Sequence, residues 1–277
     1  VVGAALDALT RLAVCHHPIG TGQTERALGA IRQLRAEALL CTPSYALYLG
    51  ERLNELGVSP GDLALRHICV AGEPGGGDAV MRRRIEQSLG GSVREAMGIG
   101  DISISLWGEC EAQQGMHFSG GGFVHVELID PDSGLTVPLR EGGTGELVYT
   151  ALCREAAPMV RFRSRDQVVV WTSPCTCGRR TLRVRCLGRT DDMLIVRGVN
   201  VFPSAVQAVI GAFVPGVSGA LAICPAQTGV RQDPPLPLEV ELAPGVQPST
   251  ELAESIQGAI RERLVVSTRV SLVPSVP

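Results

Sequence analysis

The sequence predicts a mixed α/β protein, and three observations on its organisation support this fold class. Residues 1–107 alternate short apolar runs with segments of helical periodicity, which is typical of a parallel α/β sheet. Residues 108–187 show the two-residue alternation of β-strands and predict a small β-barrel-like subdomain. Residues 188–277 follow the order βαββαβ, which predicts a C-terminal ferredoxin-like α+β domain. We therefore expect three domains with these boundaries.

In the first region, helical spacing and short apolar runs define the elements. Apolar periodicity predicts helices, and apolar runs between turn residues predict strands. The expected helices cover 23–36, 47–56 and 78–89, and the expected strands cover 38–41 and 66–71. Two glycine-containing loops, Gly72-Glu73-Pro74-Gly75 and Gly98-Ile99-Gly100-Asp101, follow successive strands. Such loops bind ligands in parallel α/β folds, although ordinary turns have the same composition.

The other two regions contain shorter elements. Alternating residues predict strands over 124–129 and 146–152, separated by the turn Pro131-Asp132-Ser133-Gly134, and further β-like runs cover 159–163 and 167–171. In the last region we expect strands over 193–197, 217–224, 238–242 and 269–273, with helices over 203–212 and 250–264.

Composition excludes several classes of protein. The 277 residues are 45% hydrophobic with a net charge of −3, which excludes a disordered chain and argues against a broad nucleic-acid surface. No run approaches the ~20 apolar residues of a membrane span, and the first residues do not resemble a signal peptide. Nine cysteines, an odd number partly within apolar runs, favour a reducing cytoplasm. All 25 basic residues are arginine, so the chain offers no lysine amine.

Four residues form a candidate zinc site. Cys110 and His117 form one pair, and Cys175 and Cys177 form a second pair in the tight sequence Pro174-Cys-Thr-Cys-Gly178. Thiolate and imidazole are the ligands that structural zinc prefers, four to a closed site. The pairs lie about 60 residues apart and match no familiar finger spacing. Four unconnected residues in a cysteine-rich chain are therefore the alternative interpretation.

Two arginine- and aspartate-rich segments are candidates for phosphate and ribose binding. They are Arg161-Phe162-Arg163-Ser164-Arg165-Asp166 and Gly188-Arg189-Thr190-Asp191-Asp192. Arginine recognises phosphate through forked hydrogen bonds, and aspartate accepts hydrogen bonds from ribose hydroxyls. Solvated charged surface is the simpler interpretation of each segment taken alone.

Taken together, these strings resemble the phenylacetate–coenzyme A ligases, a branch of the adenylate-forming enzymes. Their order and spacing match the family over nearly the whole chain. The motifs that show the resemblance are Thr42-Pro43-Ser44-Tyr45-Ala46-Leu47, Gly72-Glu73-Pro74, Gly145-Glu146-Leu147-Val148, Val160 to Asp166, Gly188 to Met193, and Arg197 to Ser204. The resemblance also favours zinc at the Cys/His positions, because this branch has members with such a site.

The resemblance implies a two-step ligase that takes an aryl carboxylate, ATP, Mg²⁺ and coenzyme A. The carboxylate first forms an acyl-adenylate, and coenzyme A then displaces AMP after the C-terminal domain rotates. By family correspondence, catalytic roles fall to Arg189 and to Asp191 as the hinge. Nucleotide binding falls to Gly72, Glu73, Pro74, Met97, Gly98, Asp101, Asp166 and Arg189, with Asp101 also a candidate Mg²⁺ ligand. Thioester formation falls to Arg197, Gly198, Val199 and Asn200.

The sequence also departs from the family pattern. The aromatic–Gly–x–Ser/Thr–Glu motif reads Met97-Gly98-Ile99-Gly100-Asp101, so the stacking aromatic and the phosphate-binding hydroxyl are replaced. Arg165 stands where the family has glycine. We expect the upstream phosphate loop and first sheet subdomain, and the C-terminal lysine motif, to lie outside this chain. The α/β subdomain is then incomplete, the C-terminal domain truncated, and adenylation by this chain alone impaired.

Two interpretations of function follow from these departures. The chain is either the C-terminal two-thirds of an acid–coenzyme A ligase, as a fragment or half of a split enzyme, or a degenerate homologue that binds nucleotide, coenzyme A or a protein without catalysis. We expect small-molecule partners, with no nucleic acid and no membrane. A homodimer, or association with a missing N-terminal portion, is compatible with either interpretation.

Overall fold

The computed structural model describes residues 2–20, 22–227 and 229–276. The chain divides into two compact units, one of residues 1–164 and 168–186, the other of residues 165–167 and 187–277. The helices are α1 (Val2–Arg11), α2 (Thr24–Gln33), α3 (Pro43–Glu55), α4 (Ala79–Leu89), α5 (Pro203–Gly211) and α6 (Thr250–Leu264), with a short 3₁₀ turn at Pro60–Asp62. None of them, within the described residues, has the length and apolar character that crossing a membrane requires.

A large mixed sheet organises the first unit. Its strands are β1 (Ala38–Cys41), β2 (His67–Val70), β3 (Ser92–Ile99), β4 (Ser103–Glu109), β5 (Met116–Phe118), β6 (Val124–Ile129), β7 (Thr136–Val137), β8 (Thr144–Ala151), β9 (Phe162–Trp171) and β10 (Arg183–Arg189). They lie in the order β1-β2-β3-β4-β5-β10-β9-β8-β6-β7. Residues 165–167 of β9 and 187–189 of β10 belong to the second unit.

Strand β3 joins the parallel and antiparallel parts of this sheet. Its first half, Ser92–Glu95, pairs in parallel with β2, and its second half, Ala96–Ile99, pairs antiparallel with β4. The boundary predicted near residue 107 falls within β4, so the predicted α/β and β-rich regions share one sheet. The physical reason is the length of β3, whose eight residues extend past the end of β2.

Side-chain caps explain where α3 and α4 begin. Helix α3 begins at Pro43, four residues before the predicted start, because Thr42 caps it by accepting a hydrogen bond from the Tyr45 amide. Helix α4 begins after Asp78, whose carboxylate accepts from the Val80 and Met81 amides. These caps fix the chain on either side of the loop after β2.

Two apolar clusters hold the first unit together. One packs α2, α3 and α4 on the parallel strands and includes Leu28, Leu49, Ile68, Ile85 and Val93. The other fills the antiparallel part, where the Trp107 indole donates a hydrogen bond to the Tyr149 hydroxyl across 2.8 Å. Because both side chains are fully buried, the hydrogen bond satisfies polar atoms that water cannot reach.

The second unit departs from the predicted ferredoxin-like sheet. Strands β13 (Val217–Ile223), β15 (Leu236–Leu242) and β16 (Thr268–Val273) form a three-stranded sheet in that order, and α6 connects the parallel pair β15–β16. Strands β11 (Leu194–Val196), β12 (Val199–Val201) and β14 (Arg231–Gln232) form a separate sheet. The predicted first strand turns back after three residues into a hairpin, so it pairs locally with β12.

Candidate functional site

The loop Gly72–Pro74 follows β2 at the carboxyl edge of the parallel strands. Because β3 runs parallel to β2, with Val70 opposite Glu95, Met97 and Gly98 continue from the same edge. In open α/β sheets this edge is where ligands bind. The structure thus places Gly72–Pro74 in the loop after β2, and Met97 and Gly98 on the adjacent strand β3 of the same unit.

Glu73 joins this loop to the start of α3. Its Oε1 accepts a hydrogen bond from the Ser44 amide at 2.6 Å, at the amino end of the helix, where amides without intrahelical partners favour an anion. The Thr42-Pro43-Ser44 and Gly72-Glu73-Pro74 strings, separate in sequence, therefore form one local structure.

Behind the loop lies a buried charged cluster that the sequence analysis missed. The Arg82 guanidinium donates to the Gly76 carbonyl through Nε at 3.1 Å and a terminal nitrogen at 2.8 Å. The same terminal nitrogen lies 2.7 Å from Glu109 Oε2, which also accepts from the Glu95 amide at 2.9 Å. Arg82 lies on the same face of α4 as Ile85 and Leu89, and this spacing was the signal for a buried charge.

Glu95 in this cluster is strongly perturbed. Its pKa is raised from 4.5 to about 7, first by burial and then by the neighbouring Glu109 carboxylate. A hydrogen bond from the Gly77 amide and the charges of Arg82 and Arg185 act in the opposite direction. A carboxyl whose charge changes near neutral pH therefore lies directly beneath the loop.

Asp101 lies in the exposed turn between β3 and β4. Its backbone carbonyl accepts a hydrogen bond from the Arg154 guanidinium. Among the described residues, the one group of three or more His, Cys, Asp or Glu side chains close enough to share a metal does not include Asp101. Its assignment as a Mg²⁺ ligand stays a prediction.

In the second unit, the Arg189 guanidinium lies close to several aspartate carboxylates. It forms a forked pair with Asp191, at 2.9 Å from Nε and 2.7 Å from a terminal nitrogen, and lies 3.8 Å from Asp166. The hydrogen bonds from Arg189 hold the pKa of Asp191 below its ordinary value. The structure thus brings together the predicted ribose, phosphate and hinge residues within this unit.

The predicted thioesterification loop is a tight hairpin of the second unit. Val196 pairs with Val199, and Arg197 and Gly198 form the two-residue turn with φ of +49° and +81°. Positive φ at both central residues is typical of a type I′ turn, which matches the twist of a two-stranded ribbon. Arg197, Gly198 and Asn200 are exposed at its tip.

The four predicted metal ligands converge in the first unit. Their ligand atoms all lie within 4.8 Å of one another. Cys110 Sγ is 3.7 Å from Cys175 Sγ, and Cys177 Sγ is 3.5 Å from His117 Nε2. Tetrahedral zinc, with bonds of ~2.3 Å to sulfur and ~2.0–2.1 Å to nitrogen, separates two sulfurs by about 3.8 Å and a sulfur and a nitrogen by about 3.6 Å. The donor set and its spacing therefore fit zinc.

Neighbouring groups prepare these side chains for a metal. His117 Nδ1 lies 2.9 Å from Thr181 Oγ1, so the imidazole turns Nε2 toward the thiols. Burial and the charges of Arg179 and Arg183 lower the pKa of His117. Hydrogen bonds, first from the Cys177 amide, lower the pKa of Cys175 to about 7. A neutral imidazole and an accessible thiolate are the protonation states that ligation requires.

Arg183 connects the two halves of the cluster. It is 5% exposed and donates to the Gln114 carbonyl at 2.7 Å, in the segment between Cys110 and His117, and to the Ser173 carbonyl at 3.0 Å, before the Cys175 turn. The Glu141 carboxylate also accepts from the Thr172 and Ser173 amides. The cysteine turn is thus fixed from two sides.

Comparison with known proteins identifies relatives over most of the chain. A phenylacetate-coenzyme A ligase from Thermus thermophilus is 35% identical over 275 residues, covering 93% of this chain and 60% of that protein. The phenylacetate-coenzyme A ligase of Pseudomonas putida is 38% identical and covers 69% of this chain and 42% of its own length. That of Escherichia coli is 35% identical and covers 73% and 46%. The chain thus spans less than two thirds of these relatives. No family model matches the sequence.

Solved structures agree with these sequence relatives. A 2-hydroxyisobutyryl-CoA ligase in the postadenylation state, in complex with 2-HIB-AMP, matches with a TM-score of 0.86 at 27% identity, over 97% of this chain and 58% of that chain. An anthranilate CoA ligase in complex with anthranoyl-AMP has a TM-score of 0.67 at 18% identity, over 95% and 51%, and so supports the fold alone.

Proposed function

Because the chain belongs to the phenylacetate–coenzyme A ligase family, we propose that it supplies nucleotide-binding and thioester-forming parts of an aryl acid–coenzyme A ligase. The overall reaction joins a carboxylate to ATP with loss of pyrophosphate, and then exchanges AMP for the coenzyme A thiol. The observation that supports this proposal best is the loop Gly72–Pro74 at the carboxyl edge of β2, beside Met97 and Gly98 of β3.

Each residue role in the proposal follows from its chemistry. Gly72, Glu73 and Pro74 line the adenine, where backbone groups can approach the base closely. Asp166 accepts hydrogen bonds from the ribose hydroxyls, and Arg189, oriented by its fork with Asp191, faces the phosphate. Asp101 is the candidate ligand for Mg²⁺ on the phosphates.

The second half-reaction rests on the other predicted elements. Asp191, in the turn between β10 and β11, is the proposed hinge, and the Arg197–Asn200 hairpin is the proposed thioesterification loop. A tight hairpin retains its shape when a domain rotates, so its tip enters a site as a preformed unit.

We infer that Cys110, His117, Cys175 and Cys177 hold one Zn²⁺. Four protein ligands leave no open position, so the ion contributes folding free energy rather than catalysis. It ties the segment after β4 to the cysteine turn before β10.

A non-catalytic binding protein is the second candidate function. It is favoured by Met97 and Gly100, which replace the aromatic and hydroxyl residues of the family motif. Losing one preorganised donor to developing charge typically costs ~10²–10³ in rate. In this second candidate function the chain binds nucleotide, coenzyme A or a protein partner without catalysis.

Three measurements on the 277-residue chain separate these functions. The first is calorimetric binding of 5′-O-[N-(phenylacetyl)sulfamoyl]adenosine, a stable mimic of phenylacetyl-adenylate. The second is thioester formation from supplied phenylacetyl-adenylate and coenzyme A, and the third is ATP–pyrophosphate exchange with a panel of aryl acids. We expect mimic binding, weak thioester formation and very slow exchange. Binding without thioester formation identifies the second candidate.

A matched pair of variants assigns the binding to the proposed residues. Asp166→Asn should weaken mimic binding at least about tenfold, because a charged hydrogen bond to the ribose is lost. Asp233→Asn, at an exposed position of the same unit, should leave it unchanged. A wild-type chain that does not bind the mimic would contradict the first candidate function and the nucleotide-binding form of the second.

A further inference from the structure

Arg82 connects two segments that the proposed function treats separately. Its guanidinium holds the Gly76 carbonyl, next to the proposed adenine loop, and the Glu109 carboxylate, at the last residue of β4. Glu109 is followed directly by Cys110, a proposed zinc ligand. One side chain therefore joins the nucleotide loop to the metal-ligand segment.

The contact is buried, so a shift at one end is not absorbed by water. The side chains of Arg82 and Glu109 are 10% and 3% exposed. Glu109 Oε2 accepts two hydrogen bonds, one from Arg82 at 2.7 Å and one from the Glu95 amide at 2.9 Å. A buried charge that loses its partner is strongly unfavourable, so the pair moves together or not at all.

The two residues Gly76 and Gly77, which continue the chain after this loop, pack closely against β2 and β3. A Cβ added to Gly76 would lie 2.5 Å from Val70 Cγ2 and 3.0 Å from Glu95 Cγ, and one added to Gly77 would lie 2.8 Å from Glu95 Oε2. Glycine is required here because the backbone approaches these side chains closely. The loop therefore has little room to shift independently of Glu95 and Arg82.

We propose that Arg82 and Glu109 are positioning residues that couple metal binding at Cys110 to the order of the nucleotide loop. Without an ion, only a weak sulfur–sulfur hydrogen bond of 3.7 Å links Cys110 to Cys175, so the end of β4 loses its attachment to the cysteine turn and relaxes. Glu109 then shifts, and Arg82 releases or displaces Gly76. The inference rests on the proposed function only in giving the loop a ligand, because the coupling itself is a property of the fold.

Hydrogen–deuterium exchange of the zinc-loaded chain tests the coupling without any nucleotide. In peptides covering residues 70–80, removal of zinc with a chelator should accelerate exchange at least about tenfold. In Arg82→Met the loop should exchange fast with or without zinc. Arg83→Met, one residue away on the exposed face of α4, should respond to the chelator as wild type does.

Two further measurements distinguish coupling from a simple loss of stability. Arg82→Lys retains a cation for Glu109 but cannot form the fork to Gly76, so it should keep its fold, judged by circular dichroism, and still lose most of the zinc response. The coupling also requires the reverse effect, that the sulfamoyl-adenosine mimic slows zinc release in wild type but not in Arg82→Lys.

The outcomes separate this inference from the proposed function. If wild-type loop exchange is unaffected by zinc removal, or if Arg82→Lys responds as wild type does, the coupling is wrong. If the mimic does not bind but zinc still orders the loop, the proposed function is wrong and the coupling stands.

Discussion

Glu95 lies 8% exposed beneath the nucleotide loop, where it faces Glu109, Arg82, Arg185 and the Gly77 amide. Its pKa of about 7, against an ordinary value of 4.5, means that the folded state prefers the protonated carboxyl. Between these two values the unfolded chain has released the proton and the folded chain has not. This group therefore makes folding less favourable as the pH rises through that window.

Replacing Glu95 should remove this pH dependence. From pH 4.5 to 7 Glu95 should lower the free energy of unfolding of the first unit by up to roughly 3 kcal/mol, a contribution that Glu95→Gln lacks. Urea unfolding followed by tryptophan fluorescence measures it, because Trp107 and Trp171 both lie in the first unit. The exposed Glu155→Gln is the control. The expectation fails if the difference between wild type and Glu95→Gln does not change with pH.

At the scale of single residues, the sequence predicted which side chains could bind a ligand better than it predicted which side chains are buried. The four candidate Cys and His ligands were identified from their residue types, which are those that structural zinc prefers. The structure brings all four together. Arg82, Glu95 and Glu109 were missed because charged residues are usually solvated, and only the fold shows which become buried. The pairing of Arg163 with the buried Glu146, 2.6 Å apart, likewise joined two motifs that the sequence left separate.

At the scale of elements, the cysteine turn at Pro174–Gly178 sets the geometry of the proposed metal site. The Gly178 amide donates to the Cys175 carbonyl at 2.9 Å, and Gly178 has φ of +86°, a value that favours glycine. The turn aims Cys175 and Cys177 at one point, while β5 supplies His117 in register with Arg183 of β10. The site is therefore built by strand pairing as much as by the turn.

Zinc removal should destabilise the first unit. We expect one zinc per chain by elemental analysis, and about 5–10 °C loss of Tm on chelation, since a bound ligand stabilises the state that holds it. Cys175→Ser should lose the metal and show the low Tm without chelator. Cys153→Ser, an exposed cysteine elsewhere in the unit, should retain both the metal and the Tm. Well under one zinc per chain in the wild type would exclude the site.

Secondary structure was predictable where local signals agree. Helix 250–264 and strand 38–41 were predicted with the boundaries found, since each has clear periodicity and turn residues. The run 167–171 and the last two residues of the run 159–163 proved to be parts of one strand, β9, which continues through a polar middle in which Ser164 is buried. A prediction from hydropathy alone breaks such a strand into two, because it takes the polar residues in the middle for a loop.

At the scale of the whole molecule, the pairing of strands within each sheet was the least predictable feature. Strand β11 was expected in the sheet of β13 but pairs with β12 and β14, because the Arg197–Gly198 turn reverses the chain at once. Gly198 suits such a turn, but a positive φ at the preceding arginine is uncommon, so the pair Arg197–Gly198 is not a clear sequence signal for a hairpin. Likewise, β5 is placed between β4 and β10 by contacts from distant segments.

A proline at the proposed hinge should separate the two half-reactions. Asp191→Pro fixes φ near −65° and removes the carboxylate that Arg189 holds, whereas Asp191→Ala removes only the carboxylate. We expect the proline variant to change the ratio of ATP–pyrophosphate exchange to thioester formation at least about tenfold, and the alanine variant much less. Radiolabelled exchange is sensitive enough for slow turnover. Equal loss of both half-reactions in a folded proline variant would contradict the hinge.

The proposed metal site also has a mechanical consequence. Cys110 and Cys175 are 65 residues apart, and the strands from β5 to β9 lie between them in the chain. When the ion holds both ends, a force that stretches the protein passes from one ligand to the other and bypasses this segment. Rupture of the metal bonds should then release about 230 Å of hidden length in one step. The proposed ion would thus act as a mechanical cross-link as well as a structural metal. Pulling single molecules with and without zinc measures the force at which this cross-link breaks.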